Sequence, residues 1–233
     1  ADPVRAELRW LATSLSGARD TEVMSARLLA DRETAADETV RAAAAAALER
    51  SLLAAQRRGA AALRAALDSD RYTSLLDTLV ATAAAPPLTE AAAHRAGDAL
   101  PPLARRAWRR LAKALDAIDG DAPDAQLHRA RILAKQARYA SEACSLAFGA
   151  PAARLAKEIV RVQDVLGEHQ DAVVAATALQ RLARTRAVLA DSRLAFALGM
   201  LYCRQGQAAQ HARAELPGVW RAVSRRGHRA WLE

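Results

Sequence analysis

Cysteine and lysine are scarce in this 233-residue chain, with two Cys and three Lys (Lys113, Lys135 and Lys157). Cys144 and Cys203 lie far apart, with no C-x-x-C pair and no Cys/His cluster. That excludes a disulfide scaffold, a zinc finger and thioredoxin-like redox chemistry. Aromatics make up 4% of residues, and Val, Ile and Thr are also few, so a β-rich fold is not expected. No run of about 18 apolar residues occurs, and no membrane partner is expected. No charged-then-apolar leader opens the chain, which therefore reads as cytoplasmic.

What is abundant is alanine, at 62 residues, and arginine, at 31 of the 34 cations. Half the chain is apolar (52%) and 26% is charged, enough to exclude wholesale disorder. Ala, Leu, Arg and Glu are strong helix formers, so the composition predicts an all-α protein. GC-rich coding accounts for most of the Ala/Arg excess, and so for most of the net charge of +8. It does not account for where the arginines sit.

Apolar residues recur at helical spacing throughout, with Val4, Leu8, Leu11 and Leu15 closing near Gly17, and a second pattern from Asp20. A long alanine-rich stretch follows from Thr34 to Leu67, with Gly59 as a candidate kink, and then a helix from Tyr72 to Ala84. Pro86-Pro87 and Pro101-Pro102 bracket a predicted linker. Later patterns run from Leu103, from Ala125 to Phe148, from Ala152 with an interruption near Gly167, from Ser192 to Arg204, and from Gln207 to Trp231. The expected organisation is a first helical bundle over 1–85, a linker over 86–102, and a second bundle over 103–233. One offset superposes Glu7 on Glu158, Leu15 on Leu166, Asp20 on Asp171 and Leu28 on Leu179, which suggests an internal repeat. By that offset, the counterpart of residues 128–139 would precede Ala1, so the first bundle is expected to lack its opening helix.

The most informative segment is Leu127 to Tyr139. At 100° per residue, His128, Arg131, Lys135 and Arg138 share an arc of roughly 80°. Ala130, Leu133, Ala137, Ala140 and Cys144 are expected opposite, as a small-residue core face. A face that serves only solubility mixes charge signs for i,i+4 pairing, yet no acid occurs before Glu142, which is placed to pair with Arg138. A row of cations suits a linear array of phosphates, because guanidinium groups bind phosphate oxygens bidentately and lysine adds a point charge. An earlier helix gathers Arg105, Arg106, Arg109, Arg110 and Lys113 on one side, with Trp108, Leu111, Leu115 and Ile118 on the other. Arg225, Arg226, His228 and Arg229 form a third basic cluster beside Trp231.

Catalysis finds little support. Glu168, His169 and Asp171 are the one acidic/His cluster, but adjacent helical residues diverge by about 100° and chelate poorly. Asp171 and Asp20 read as caps for helices restarting after glycine breaks. No catalytic residue, metal or cofactor is expected. Nucleic-acid binding is the second reading of the charge, opposed by the shortage of aromatics for base stacking, with only Tyr139 near the basic row.

The pattern H-x-x-R-x-x-x-K-x-x-R-Y at His128–Tyr139, followed by V-Q-D-V-L-G-E-H-Q-D-A at Val162–Ala172, resembles the CHAD family of conserved-histidine α-helical domains. The segment Leu15-Ser16-Gly17-Ala18-Arg19-Asp20-Thr21-Glu22-Val23 is similar to the family's first-half element, with Ser16 and Glu22 as departures. The resemblance implies two four-helix bundles related by pseudo-twofold symmetry, with a basic channel between them that binds inorganic polyphosphate. It implies that His128, Arg131, Lys135 and Arg138 face the channel, joined by Arg105, Arg109, Lys113 and Arg19. The implied role is a non-catalytic accessory module, with polyphosphate granules as a site of action. Such modules are often fused to triphosphate hydrolase domains.

Overall fold

The computed structural model describes residues 3–31 and 38–232. Every regular element among the described residues is helical: α1 (Pro3–Asp31), α2 (Glu38–Leu67), α3 (Asp70–Ala84), α4 (Ala96–Asp116), α5 (Asp124–Phe148), α6 (Ala150–Ala183), α7 (Arg186–Leu189), α8 (Ser192–Val223) and α9 (Arg226–Arg229). Single 3-10 turns occupy Glu90–Ala93 and Ala230–Leu232. The all-α expectation is met, and no described helix is long and apolar enough to cross a membrane.

Several expected breaks are not breaks. α1 runs through Gly17, α6 through Gly167, and α8 continues across residues 204–207 and Pro217. A glycine inside a helix costs only about 1 kcal/mol against alanine, and the packed apolar stripes on either side outweigh it. The predicted linker is shorter than 86–102. Residues 86–89 are exposed and irregular, but α4 begins at Ala96 and holds Pro101 and Pro102 in its second turn. The two missing N–H donors fall near the helix start, and Trp108, Leu111 and Leu115 anchor the turns beyond them. Residues 34–37 of the alanine-rich stretch expected from Thr34 lie outside the described residues.

The chain forms two compact units, 1–88 with 174–203 and 89–173 with 204–233. They are interleaved rather than consecutive, because α6 and α8, at 34 and 32 residues, each contribute to both. In the first unit, Leu28 of α1, Leu48 and Leu52 of α2, Leu179 of α6, and Leu194, Leu198 and Leu201 of α8 build one buried cluster. Arg71 at the start of α3 clamps α1, with Nε 2.6 Å and Nη2 3.0 Å from the Glu7 carboxylate and its guanidinium 4.2 Å from the Trp10 ring centre. The Ser69 hydroxyl caps α3 by accepting from the Tyr72 backbone N–H.

The second unit is built around α5. Half of its buried face is alanine (Ala130, Ala134 and Ala137), with Ser141 and Cys144 also small, and small side chains let neighbouring helices approach closely. Trp108, Leu111 and Leu115 of α4 join this core with Leu155, Ile159, Val162 and Leu166 of α6 and Leu216 and Trp220 of α8. Gly149 ends α5 with φ +60°, a conformation L side chains rarely adopt, and α6 starts at the next residue.

Candidate functional site

Proline at the N-cap and Asp124 at the first position start α5, and the alanine stripe fixes its rotation. Leu127, Ala130, Ala134, Ala137, Ser141 and Cys144 are buried. At 100° per residue, the centre of this set lies roughly 110° from the centre of the His128, Arg131, Lys135 and Arg138 row. The basic row therefore flanks the core instead of opposing it, a correction to the sequence expectation. His128 remains exposed, whereas Arg131, Lys135 and Arg138 are half-buried. Leu127, Ala134 and Ser141 together carry the difference, since their burial in place of Leu133 and Ala140 rotates the buried face toward the cations.

α6 lies alongside this row. His128 Nδ1 is 2.9 Å from Gln170 Oε1. One turn on, Arg131 lies over Gly167, where an added Cβ would stand 3.9 Å from the guanidinium Nε. The antiparallel register that pairs 128 with 170 and 131 with 167 carries Gln163 opposite Lys135. Arg138 donates from Nη1 to Glu142 Oε1 at 3.0 Å, as the sequence suggested, and its guanidinium lies 4.6 Å from the Tyr139 ring centre. The Nε–H groups of Arg131 and Arg138, and the side-chain nitrogen of Gln163, are buried and meet no protein acceptor. Buried donors are costly to leave unmet, so a small turn of these side chains that brought their N–H groups to an anionic oxygen would be favourable. Gln163, Gly167 and Gln170 were not singled out as site residues by the sequence reading. Their i, i+4, i+7 spacing was the signal that could have found them.

On α4, Arg105, Arg106, Arg109, Arg110 and Lys113 line a second basic surface, an open groove of about 450 Å³ that also touches Pro102. Arg105 is partly committed elsewhere, with its Nε donating to the Leu232 carbonyl. Arg19 is exposed on α1 in the first unit. Of the third cluster, Arg225 and Arg226 are exposed and His228 and Arg229 half-buried.

His169 takes no part in the basic row. It is turned into the core at 2% exposure, with Nε2 3.2 Å from Asp124 Oδ1 but outside hydrogen-bond geometry. Burial is the main influence and pushes the imidazole below its ordinary pKa, Asp124 opposes this, and Arg213 adds to the lowering. Asp124 in turn pairs with Arg213 Nη2 at 2.9 Å, and Arg213 also donates to the Ala122 carbonyl. The group ties the start of α5 to α6 and α8. Asp171 and Asp20 lie inside continuous helices, so the capping role expected of them is withdrawn. Among the described residues, no three His, Cys, Asp or Glu side chains gather as metal ligands would.

The structure is thus an all-helical protein that sets a row of Arg, Lys and His on α5 beside a stretch of α6 offering a glycine and two amides. Comparison with known proteins gives the family. The profile of the CHAD domain matches residues 1–180, and the chain belongs to the CHAD domain family. Two proteins of Mycobacterium tuberculosis, "Uncharacterized protein MT2285" of strain CDC 1551 / Oshkosh and "Uncharacterized protein Rv2226" of strain H37Rv, are each 32% identical over 230 residues. Each alignment covers 94% of this chain and 42% of the relative, so the chain spans about two fifths of these longer proteins. PptA from Streptomyces chartreusis is similar in structure, with a TM-score of 0.79 and 29% identity over 94% of this chain and 79% of that one. Helical fold and family membership together fit a family of polyphosphate-binding domains.

Proposed function

We propose that the face formed by α5 and α6 binds inorganic polyphosphate as a non-catalytic module. The observation that carries this reading is the pair of buried Nε–H donors on Arg131 and Arg138, in one row with His128 and Lys135. Phosphate oxygens along a polymer would meet the successive side chains of this row about 5 Å apart, with the two Nε–H donors two turns and about 10 Å apart. Arg105, Arg109 and Lys113 on α4, in the same unit, offer further cations to the polymer. The ligand requires charge and length, and no base needs to be read. In a longer parent protein, the module would bring an adjoining domain, such as a triphosphate or polyphosphate hydrolase, to polyphosphate or to granules of it.

Binding driven by counterion release weakens with salt. With the three Arg and Lys cations of the row and the single-strand slope, affinity should fall about 20-fold between roughly 50 and 200 mM salt. The test is titration of long-chain polyphosphate at both salts, with a His128/Arg131/Lys135/Arg138 alanine variant alongside. Loss of both affinity and salt slope in the variant supports the reading, and equal binding by variant and parent overturns it. Single-stranded RNA that displaces polyphosphate at equal phosphate concentration would favour the nucleic-acid reading instead.

A further inference from the structure

We propose that Gln170 of α6 is a positioning residue that fixes the tautomer of His128 and makes polyphosphate binding proton-linked, stronger as pH falls. The inference rests on the polyphosphate reading and adds a regulation of that same face. Both residues belong to the second unit, with His128 Nδ1 2.9 Å from Gln170 Oε1. An amide oxygen only accepts, so the ring nitrogen facing it carries the proton. A neutral imidazole has one ring proton, and with Nδ1–H given to Gln170 its Nε2 is left with a lone pair. His128 is exposed, in one row with Arg131, Lys135 and Arg138. A phosphate oxygen arriving at neutral His128 therefore meets an acceptor, which repels it. Protonation turns Nε2 into a charged donor and keeps the bond to Gln170.

The charged groups around the pair come from four helices. On α5, Asp124 lies one turn before His128 and pairs with Arg213 of α8, while Arg129, Arg131 and Lys135 follow it. On α6, Glu168 and Asp171 flank Gln170, and each has a partner of its own. The end of α4, tied to α5 by the Gln126 amide on the Ala117 carbonyl, brings Lys113 and Asp116, and Asp116 accepts from Trp220. Carboxylates, lysine and arginine do not ordinarily titrate between pH 6 and 8. Two other imidazoles lie on these helices. His169 is turned into the core, where burial lowers its pKa, and His211 of α8 is exposed. Neither belongs to the basic row, so substitution at His128 isolates the proton that matters.

Two measurements on the whole chain test this. Long-range proton–nitrogen correlation spectra of the free protein at pH 8 should show His128 as the Nδ1–H tautomer, and Gln170→Leu should turn it to the Nε2–H form. Long-chain polyphosphate is then titrated by calorimetry at pH 8 and pH 6, at constant salt. Affinity should rise about tenfold toward pH 6, as for an ordinary imidazole whose charged form gains one hydrogen bond to an anion. Binding at pH 7 should take up protons from the buffer. His128→Arg, a fixed cation, should hold its affinity within about twofold over this range. Gln170→Leu should bind more tightly than the parent at pH 8 and keep only about a threefold gain, because its neutral ring already donates. An Nε2–H tautomer in the parent, equal parent affinity at the two pH values, or a tenfold gain that survives in His128→Arg would overturn the proposal while polyphosphate still binds. Absence of polyphosphate binding at either pH would overturn both the proposal and the reading it rests on.

Discussion

Arg131 of α5 lies against the bare backbone of Gly167 on α6, with 3.9 Å between the guanidinium Nε and the place a Cβ would take. The glycine does not break its helix. It leaves beside Arg131 a space that a methyl group would also fit but a larger side chain would not, at a cost to the helix of about 1 kcal/mol.

Substitutions at Gly167 should therefore separate space from stability. Gly167→Ala adds a methyl at ordinary contact distance, so polyphosphate affinity should hold while stability rises by about 0.5–1 kcal/mol. Gly167→Leu should displace Arg131 and weaken polyphosphate binding about tenfold with the fold intact. Urea unfolding and a binding titration on both variants check this, and equal binding by the leucine variant would contradict it.

The pH dependence of stability should report His169. Its pKa is lowered in the folded protein from an ordinary 6.5, chiefly by burial. As pH falls through about 6.5, the unfolded chain takes up this proton before the folded one does, so the contribution of His169 to stability is present above that pH and lost below it. His169→Leu should flatten this acid limb. Urea midpoints measured from pH 8 to pH 5 decide the matter, with an unchanged limb in the variant as the contrary outcome.

Glu142 holds Arg138 through a 3.0 Å ion pair and sets a negative charge at the end of the row. An i,i+4 pair of this kind is worth about 0.3–0.5 kcal/mol. Glu142→Gln should raise polyphosphate affinity about twofold at low salt, and the gain should shrink as salt screens the charge. Titrations at two ionic strengths would show it. A fall in affinity would mean that the carboxylate orients Arg138 usefully.

The helical class was legible because alanine, leucine and arginine favour helix regardless of neighbours, and the basic row was legible because 100° per residue is simple arithmetic. Helix lengths were not. Gly17, Gly167 and Pro217 carry local penalties that a sequence displays openly, while the long-range packing that outweighs them becomes visible only in the fold. The start of α4 was missed for the same reason, since Pro101-Pro102 resembles a stop until Trp108 and Leu111 are seen to hold the helix. His169 was open to better reading. Val162, Leu166 and His169 continue one apolar stripe of α6, which places the imidazole in the core instead of beside a ligand.

The most direct measurement is of the arginine Nε–H resonances of the whole chain by nuclear magnetic resonance, before and after long-chain polyphosphate is added. The account requires the Arg131 and Arg138 Nε–H signals to shift and their hydrogen exchange to slow, as buried donors acquire phosphate acceptors. Large shifts confined to the exposed arginines of α4, with Arg131 and Arg138 unmoved, would contradict it.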